Sequence, residues 1–170
     1  MSLRPKKDVS ISDGSHIDVF IINALMDSLF KIFSTMVRLK IQAGIPEPKQ
    51  DNVSRGVVSA LTSMQAEGVN GSVSLSLSLP AIRQISLGLL DHEISSVNKE
   101  ALDLAGELTN MLVGGAKRIL SEQGFDFDMQ SPQLLQGEGH KIIHHFAGQT
   151  VLLPIKINDD EFFIELNFVK

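Results

Sequence analysis

The chain contains no cysteine, and that absence removes a disulfide framework, a thiolate zinc site and a cysteine nucleophile in one step. It also suits a reducing cytoplasm, where we expect the protein to work. Positive charge in bulk is missing too. The 15 lysines and arginines are outnumbered by 20 acidic residues, and basic residues adjoin only at Lys6-Lys7 and Lys117-Arg118. A phosphate backbone finds no footprint here, so nucleic acid is not an expected partner. Nor is there an unbroken apolar run of membrane-spanning length. The longest apolar stretch, residues 19–41, is interrupted by Asn23, Asp27, Ser28, Lys31, Arg38 and Lys40, which a bilayer interior penalises. It reads as a buried helix, and no membrane role is expected. Residues 1–14 are polar and basic without the apolar centre of a signal peptide.

What is present is the usage of an ordinary folding chain: 43% hydrophobic and 21% charged residues over 170 positions. That length builds one substantial core and is short for two. We expect a flexible N-terminal segment over residues 1–15 and a single domain over residues 16–170. Apolar positions Phe20, Ile21, Leu25, Leu29, Ile32, Phe33 and Met36 recur at helical spacing, which predicts a helix over residues 17–40 packed on more than one side. Two prolines within residues 44–48 prevent its continuation. Residues 53–64 are β-branched and partly alternating, a predicted strand. After turn chemistry at residues 67–71, Val73, Leu75, Leu77 and Leu79 alternate with Ser72, Ser74, Ser76 and Ser78. This is the clearest strand of the chain, with the serines on its outer face. Pro80 opens a shorter helix through Leu90, and a second long helix is predicted over residues 98–122. Strands over 150–157 and 162–169, joined at Asn158-Asp159-Asp160, close the chain as a hairpin. Each half thus reads as a long helix followed by strands, a coarse internal repeat. The expected fold is α/β of the two-layer α+β kind, with long helices packed on a largely antiparallel sheet.

On a wheel of 3.6 residues per turn, Lys99, Asp103, Glu107, Asn110, Gly114, Lys117 and Ser121 share one face of the second long helix. The opposite side carries Ala101, Leu104, Ala105, Leu108, Met111, Leu112 and Ile119, a face suited to the sheet. The polar stripe therefore looks outward. A solvated helix side, with Lys99 and Asp103 as an i,i+4 ion pair, accounts for such a stripe without any function. Asn110 is a mediocre helix former, however, and Gly114 and Gly115 each cost roughly 1 kcal/mol relative to alanine. Two reasons accept that cost: a smooth surface for a docking partner, or a tight helix crossing.

The run DLAGELTNMLVGGAK, residues 103–117, resembles the signature Asp/Ser-x-x-x-Glu-x-x-Asn of the CheC and CheX chemotaxis phosphatases, including the methionine, glycine and lysine that follow it. Similar resemblances cover residues 20–33, FIINALMDSLFKIF, and 131–142, SPQLLQGEGHKI. The resemblance implies a CheC/CheX-like fold and hydrolysis of a phosphoaspartate on a CheY-like response regulator. It assigns Glu107 to the receiver's active-site lysine and Asn110 to the attacking water. Asp103, Gly114 and Lys117 match supporting positions. A carboxamide suits the task, because it donates and accepts hydrogen bonds without titrating near neutrality. Phosphoryl transfer asks chiefly for positioning and charge stabilisation. The implied Mg2+ belongs to the receiver, with no cofactor of the chain's own, and two subunits are implied to join through their sheets as a homodimer. CheC-type chains carry a second Glu-x-x-Asn in the first half, whereas here Phe20 stands where that carboxylate would precede Asn23. One site per chain is therefore expected, with Asn23 structural. The other function this fold accommodates is a non-catalytic module that binds a receiver or a flagellar switch component.

His140, His144 and His145 lie within six positions, but they follow a Gly-Glu-Gly break in strand-like sequence, where i and i+4 share no helical face. No metal site is expected of them; surface or pH-responsive histidines are. No Gly-rich phosphate loop or Ser-His-Asp arrangement is recognisable.

Overall fold

The computed structural model describes residues 9–10, 16–17 and 19–169. β1 (Val9–Ser10) pairs antiparallel with β2 (His16–Ile17). The remainder of the segment expected to be flexible, residues 1–8 and 11–15, lies outside the described residues. α1 (Val19–Ile32) passes into a π-helical turn at Phe33–Val37. Arg38 ends the turn in the left-handed region at φ 61°, and the Leu39 amide donates to the Phe33 carbonyl at 3.1 Å. Such a closure satisfies carbonyls that a helix end leaves free. The unit Val19–Val37 is long and apolar enough to cross a membrane by length and composition, yet 56% of its window is buried against the rest of the fold, as in a core helix.

After this turn come β3 (Ile41–Ala43), β4 (Glu47–Lys49), β5 (Val58–Ala66) and β6 (Val69–Leu77). α2 (Leu79–Leu90) has Pro80 in its first turn and Ser78 as its cap. α3 (Lys99–Glu122), β7 (Asp128–Met129), β8 (Gln133–Gln136), β9 (Thr150–Ile157) and β10 (Asp160–Val169) complete the order. The large sheet runs β3-β9-β10-β6-β5-β7, with β4 also on β9 and β8 also on β5, and every pairing is antiparallel. The predicted antiparallel two-layer fold is thus observed, and the repeat has a definite form. The hairpins β5–β6 and β9–β10 meet along β6 and β10 at the sheet centre. The short strands after α1 pair with β9 of the second half, and those after α3 pair with β5 of the first.

The three helices cover one face of the sheet. Leu25, Leu29 and Phe33 of the first helical unit and Leu104, Leu108 and Leu112 of α3 share a core with Val73, Leu75, Leu77, Ile164 and Leu166. Phe33 stacks on Phe162 with ring centroids 5.3 Å apart. Aromatic pairs at this spacing add roughly 1 kcal/mol to their burial.

Two expectations about the other face need correction. Residues 53–57 do not extend the strand, which begins at Val58; Val53 makes only an isolated bridge to Lys141. The serines of β6 are not an outer face, since Ser72, Ser74 and Ser76 are all buried. The segments 50–57 and 137–149 lie over them, and hydrogen bonding makes the burial of Ser72 and Ser76 tolerable, whereas the Ser74 hydroxyl is buried without a hydrogen-bond partner among the described residues. Ser59 and Ser76 hydroxyls meet at 2.7 Å, with Ser54 3.2 Å from Ser76. Alternation identified two faces correctly but took the second one for solvent.

Candidate functional site

α3 is started by Asn98, whose Oδ1 accepts from the Ala101 amide at 2.9 Å, and it carries Glu100 in its first turn, favourable against the helix dipole. Its 24 residues extend about 36 Å at 1.5 Å per residue. Ala101, Leu104, Ala105, Leu108, Leu112, Val113, Ala116 and Leu120 are buried. Lys99, Asp103, Glu107, Asn110 and Ser121 are exposed, and Gly114 and Lys117 are half-buried between them. Glu107 and Asn110 thus stand exposed together, one i,i+3 step apart, with Cβ atoms about 5–6 Å from each other in such a step. Asp103 lies one turn before Glu107 on the same face.

The expected Lys99–Asp103 pair is not formed. Among the described residues no ion pair involves Lys99, Asp103, Glu107 or Lys117. The stripe is a row of unpaired charges and one carboxamide, all available to a second molecule. The perturbed groups lie elsewhere: the Arg55 guanidinium holds the Asp51 carboxyl well below the usual range, and Glu100 raises His92 through a 2.6 Å contact.

The adjacent glycines divide the two reasons offered for them. A Cβ on Gly115 would fall 2.2 Å from the Ser28 hydroxyl, at the crossing where that hydroxyl donates to the Leu112 carbonyl at 2.8 Å. Gly115 is there for the tight approach of α1. A Cβ on Gly114 would meet nothing within 4 Å. Its lost helix propensity gains no packing inside the chain, and it leaves a smooth surface one turn beyond Asn110. Met111 and Ile119, placed inward by periodicity, are only half-buried; they sit at the margin of the buried face, where the cover depends on how α1 lies.

Asn23 is buried, so the first helix does not present a second exposed asparagine at that position. The three histidines separate. His145 is exposed and His140 is half-buried, whereas the His144 side chain is 5% exposed, so of the expected surface or pH-responsive histidines His144 is not a surface one. His140 Nε2 lies 2.7 Å from the Ser59 hydroxyl, and His144 bridges the Ser72 hydroxyl at 2.6 Å and the Glu165 carboxylate at 3.1 Å. Lys49 completes this network with its Nζ 3.3 Å from Glu165, both side chains 1% exposed. Sequence reasoning missed Lys49 and Glu165. The signal for Glu165 was available: Glu165 and Asn167 alternate with Ile164, Leu166 and Phe168 on a central strand, so their face had to be polar. These groups lie on the face of the sheet opposite α3.

A family model described as chemotaxis phosphatase CheX matches residues 58–156, a span that includes all of α3. The CheC-like superfamily protein from Shewanella sp. PV-4 is 36% identical, with the alignment covering 91% of this chain and 100% of that one at a TM-score of 0.83. The chemotaxis protein CheX from Vibrio vulnificus is likewise 36% identical, over 87% and 98% of the two chains, with a TM-score of 0.79. At 22% identity, the fold is shared with the CheX–CheY–BeF3–Mg2+ complex from Borrelia burgdorferi, TM-score 0.70 over 88% of this chain and 96% of that one. No curated protein sequence matches the chain.

Proposed function

Because the chain belongs to the CheX family of chemotaxis phosphatases, we propose that it shortens the lifetime of a phosphoaspartate on a CheY-like response regulator, with Glu107 docking the receiver and Asn110 positioning the attacking water. The observation that carries this reading is the joint exposure of Glu107 and Asn110 on a stripe with no internal ion pairs. A neutral amide can accept a hydrogen bond from water and donate one to a phosphoryl oxygen at the same time. Held against an acyl phosphate, it aligns water with phosphorus opposite the leaving carboxylate. The new P–O bond forms from water, the bond to the aspartyl oxygen breaks, and the water's proton leaves with inorganic phosphate or to solvent. Glu107, one step away, pairs with the receiver's lysine and sets the register of that approach. The divalent cation of the reaction is assigned to the receiver, as the Borrelia burgdorferi complex of CheX with CheY, BeF3 and Mg2+ suggests for a fold relative. Asp103, Gly114 and Lys117 act in support, Gly114 by leaving room. The setting is cytoplasmic, residues 16–170 act as one domain, and the chain works as a homodimer joined through its sheets, which sedimentation at micromolar concentration checks.

The test is phosphate release from a phosphorylated receiver. Wild-type protein accelerates it, and Asn110→Ala abolishes most of the acceleration. Retention of full stimulation by Asn110→Ala sinks the mechanism. Binding of the receiver without any change in its phosphorylated lifetime selects the non-catalytic module instead.

A further inference from the structure

Beside Glu107 a groove of about 530 Å³ opens between α1 and α3. The Ser28–Gly115 crossing lines it together with the apolar side chains Ile32, Met36, Met111 and Ile119. Met36 is 48% exposed and belongs to the π-helical turn that follows α1. Such turns concentrate at functional sites, and methionine is the apolar residue that best re-packs against another surface. Asp27, Lys31, Arg118 and Glu122 line the same groove. Among the described residues none of these four makes an ion pair.

Two side chains cannot hold a globular partner. Even a transient protein complex covers several hundred Å² on each side, about 800 Å² in standard ones, so a receiver engaged at Glu107 and Asn110 must also rest on neighbouring surface. The groove is continuous with that site, because Glu107 belongs to both the stripe and the groove lining. It also has the composition of a contact that discriminates, with apolar side chains to receive an anchoring residue and unpaired charges of both signs among them.

We propose that this groove is the specificity surface for the response regulator: it takes an apolar side chain from a receiver element flanking the acyl-phosphate site, while Lys31 and Arg118 meet carboxylates beside that side chain. Asp27 and Glu122 disfavour an element that brings acid alone, and so discriminate among receivers whose catalytic pockets are alike. The inference rests on the receiver-phosphatase reading above and adds the determinants of partner choice to it.

The experiment titrates a beryllofluoride-activated, Mg2+-loaded receiver with four full-length proteins: wild type, Met36→Glu, Arg118→Glu and Asn110→Ala. Both groove substitutions fall on exposed side chains, so folding is preserved, and circular dichroism verifies it. Met36→Glu weakens binding by about tenfold or more, as expected for a charge placed in an apolar contact. Arg118→Glu weakens it by roughly three- to tenfold, with a changed dependence on salt. Asn110→Ala gives up one hydrogen bond to the beryllofluoride, and its effect is read chiefly in turnover. In turnover assays the groove variants raise KM and keep kcat at saturating receiver, whereas Asn110→Ala lowers kcat. If both groove variants bind and turn over like wild type, the inference falls while the proposed function stands. If they instead alter the chain's own oligomeric state, the groove is a self-interface and the inference is overturned. If wild type neither binds nor dephosphorylates any receiver, the functional reading itself has failed.

Discussion

The two long helices occupy corresponding places in the repeat, each followed by short strands that cross to the other half and then by a long hairpin, yet they present their asparagines in opposite ways. α3 has Glu107 and Asn110 three residues apart, both exposed. α1 has Phe20 and Asn23 at the same spacing, with Phe20 49% exposed and Asn23 only 9% exposed. Nearly the same pattern of residue types therefore differs in two respects, the missing carboxylate and the direction of the asparagine. A helix side facing the core or a neighbour can carry an amide for structural reasons, whereas an amide held in solvent on a helix gains nothing from its position unless another molecule arrives. The duplicated architecture thus supplies one exposed pair per chain.

The most severe break of this contrast is Asn110→Ala against Asn23→Ala. Removing the water-positioning group is expected to lower stimulated phosphate release by about a hundredfold or more, the scale seen when a single positioning donor is lost. Stability stays within about 0.5 kcal/mol, as is usual for an exposed position. Asn23→Ala has the reverse profile: stimulation per folded molecule is unchanged, and urea unfolding shows a loss of about 1 kcal/mol from a truncated buried polar group. Next in size is Glu107→Ala. A lost charge-assisted pair with the receiver's lysine is worth roughly 1.5–3 kcal/mol, so KM rises by about tenfold or more while kcat at saturation falls far less than for Asn110→Ala. Equal losses in kcat for the two would place Glu107 in the chemistry and erase the division of labour between them.

Smaller effects come from the neighbouring glycines, which show the same contrast at one-residue resolution. Gly115→Ala drives a methyl into the Ser28 hydroxyl and disturbs its bond to Leu112; overpacking of this kind costs typically 1–3 kcal/mol. Gly114→Ala points into open space and is expected to stabilise the fold by about 0.5–1 kcal/mol, since alanine is the better helix former. Thermal or urea unfolding reads both. A larger side chain at Gly114, such as leucine, keeps the stability and impairs action on the receiver, because the obstruction appears only when the partner docks.

How far the sequence revealed these features depends on which neighbour decides them. The polar stripe of α3 was legible because helical period alone separates Glu107 and Asn110 from Leu104, Leu108 and Leu112. The hairpins were legible because strict alternation and turn chemistry flank them. Burial of Ser72, Ser74 and Ser76 was not legible: it comes from segments 50–57 and 137–149, remote in the chain, whose cover leaves no local period. The same applies to residues 53–57, whose β-branched content expresses propensity while their place over the sheet is set by contacts such as the bridge from Val53 to Lys141. Met111 and Ile119 were assigned inward because the wheel has no knowledge of where α1 stops covering α3. For Asn110, periodicity gave the orientation; the role proposed for it rests on the resemblance of residues 103–117 to a phosphatase signature, which is information of a different kind.

The smallest expected effect is the most direct probe of the asymmetry between the helices. Phe20→Glu restores to α1 the carboxylate that would complete a second Glu-x-x-Asn. If the carboxylate alone separates a working helix from a structural one, this variant gains a second site, and stimulated phosphate release rises up to about twofold, the ratio of two equal sites to one. If the direction of the asparagine matters as well, the gain is nil, because Asn23 stays turned into the fold and cannot reach water held on another protein. We expect no gain. The clean form of the measurement combines Phe20→Glu with Asn110→Ala, where residual stimulation from a new site would stand out against a silent background. Activity recovered in that double variant would show that Asn23 can swing outward, and would reduce the difference between the two helices to a single carboxylate.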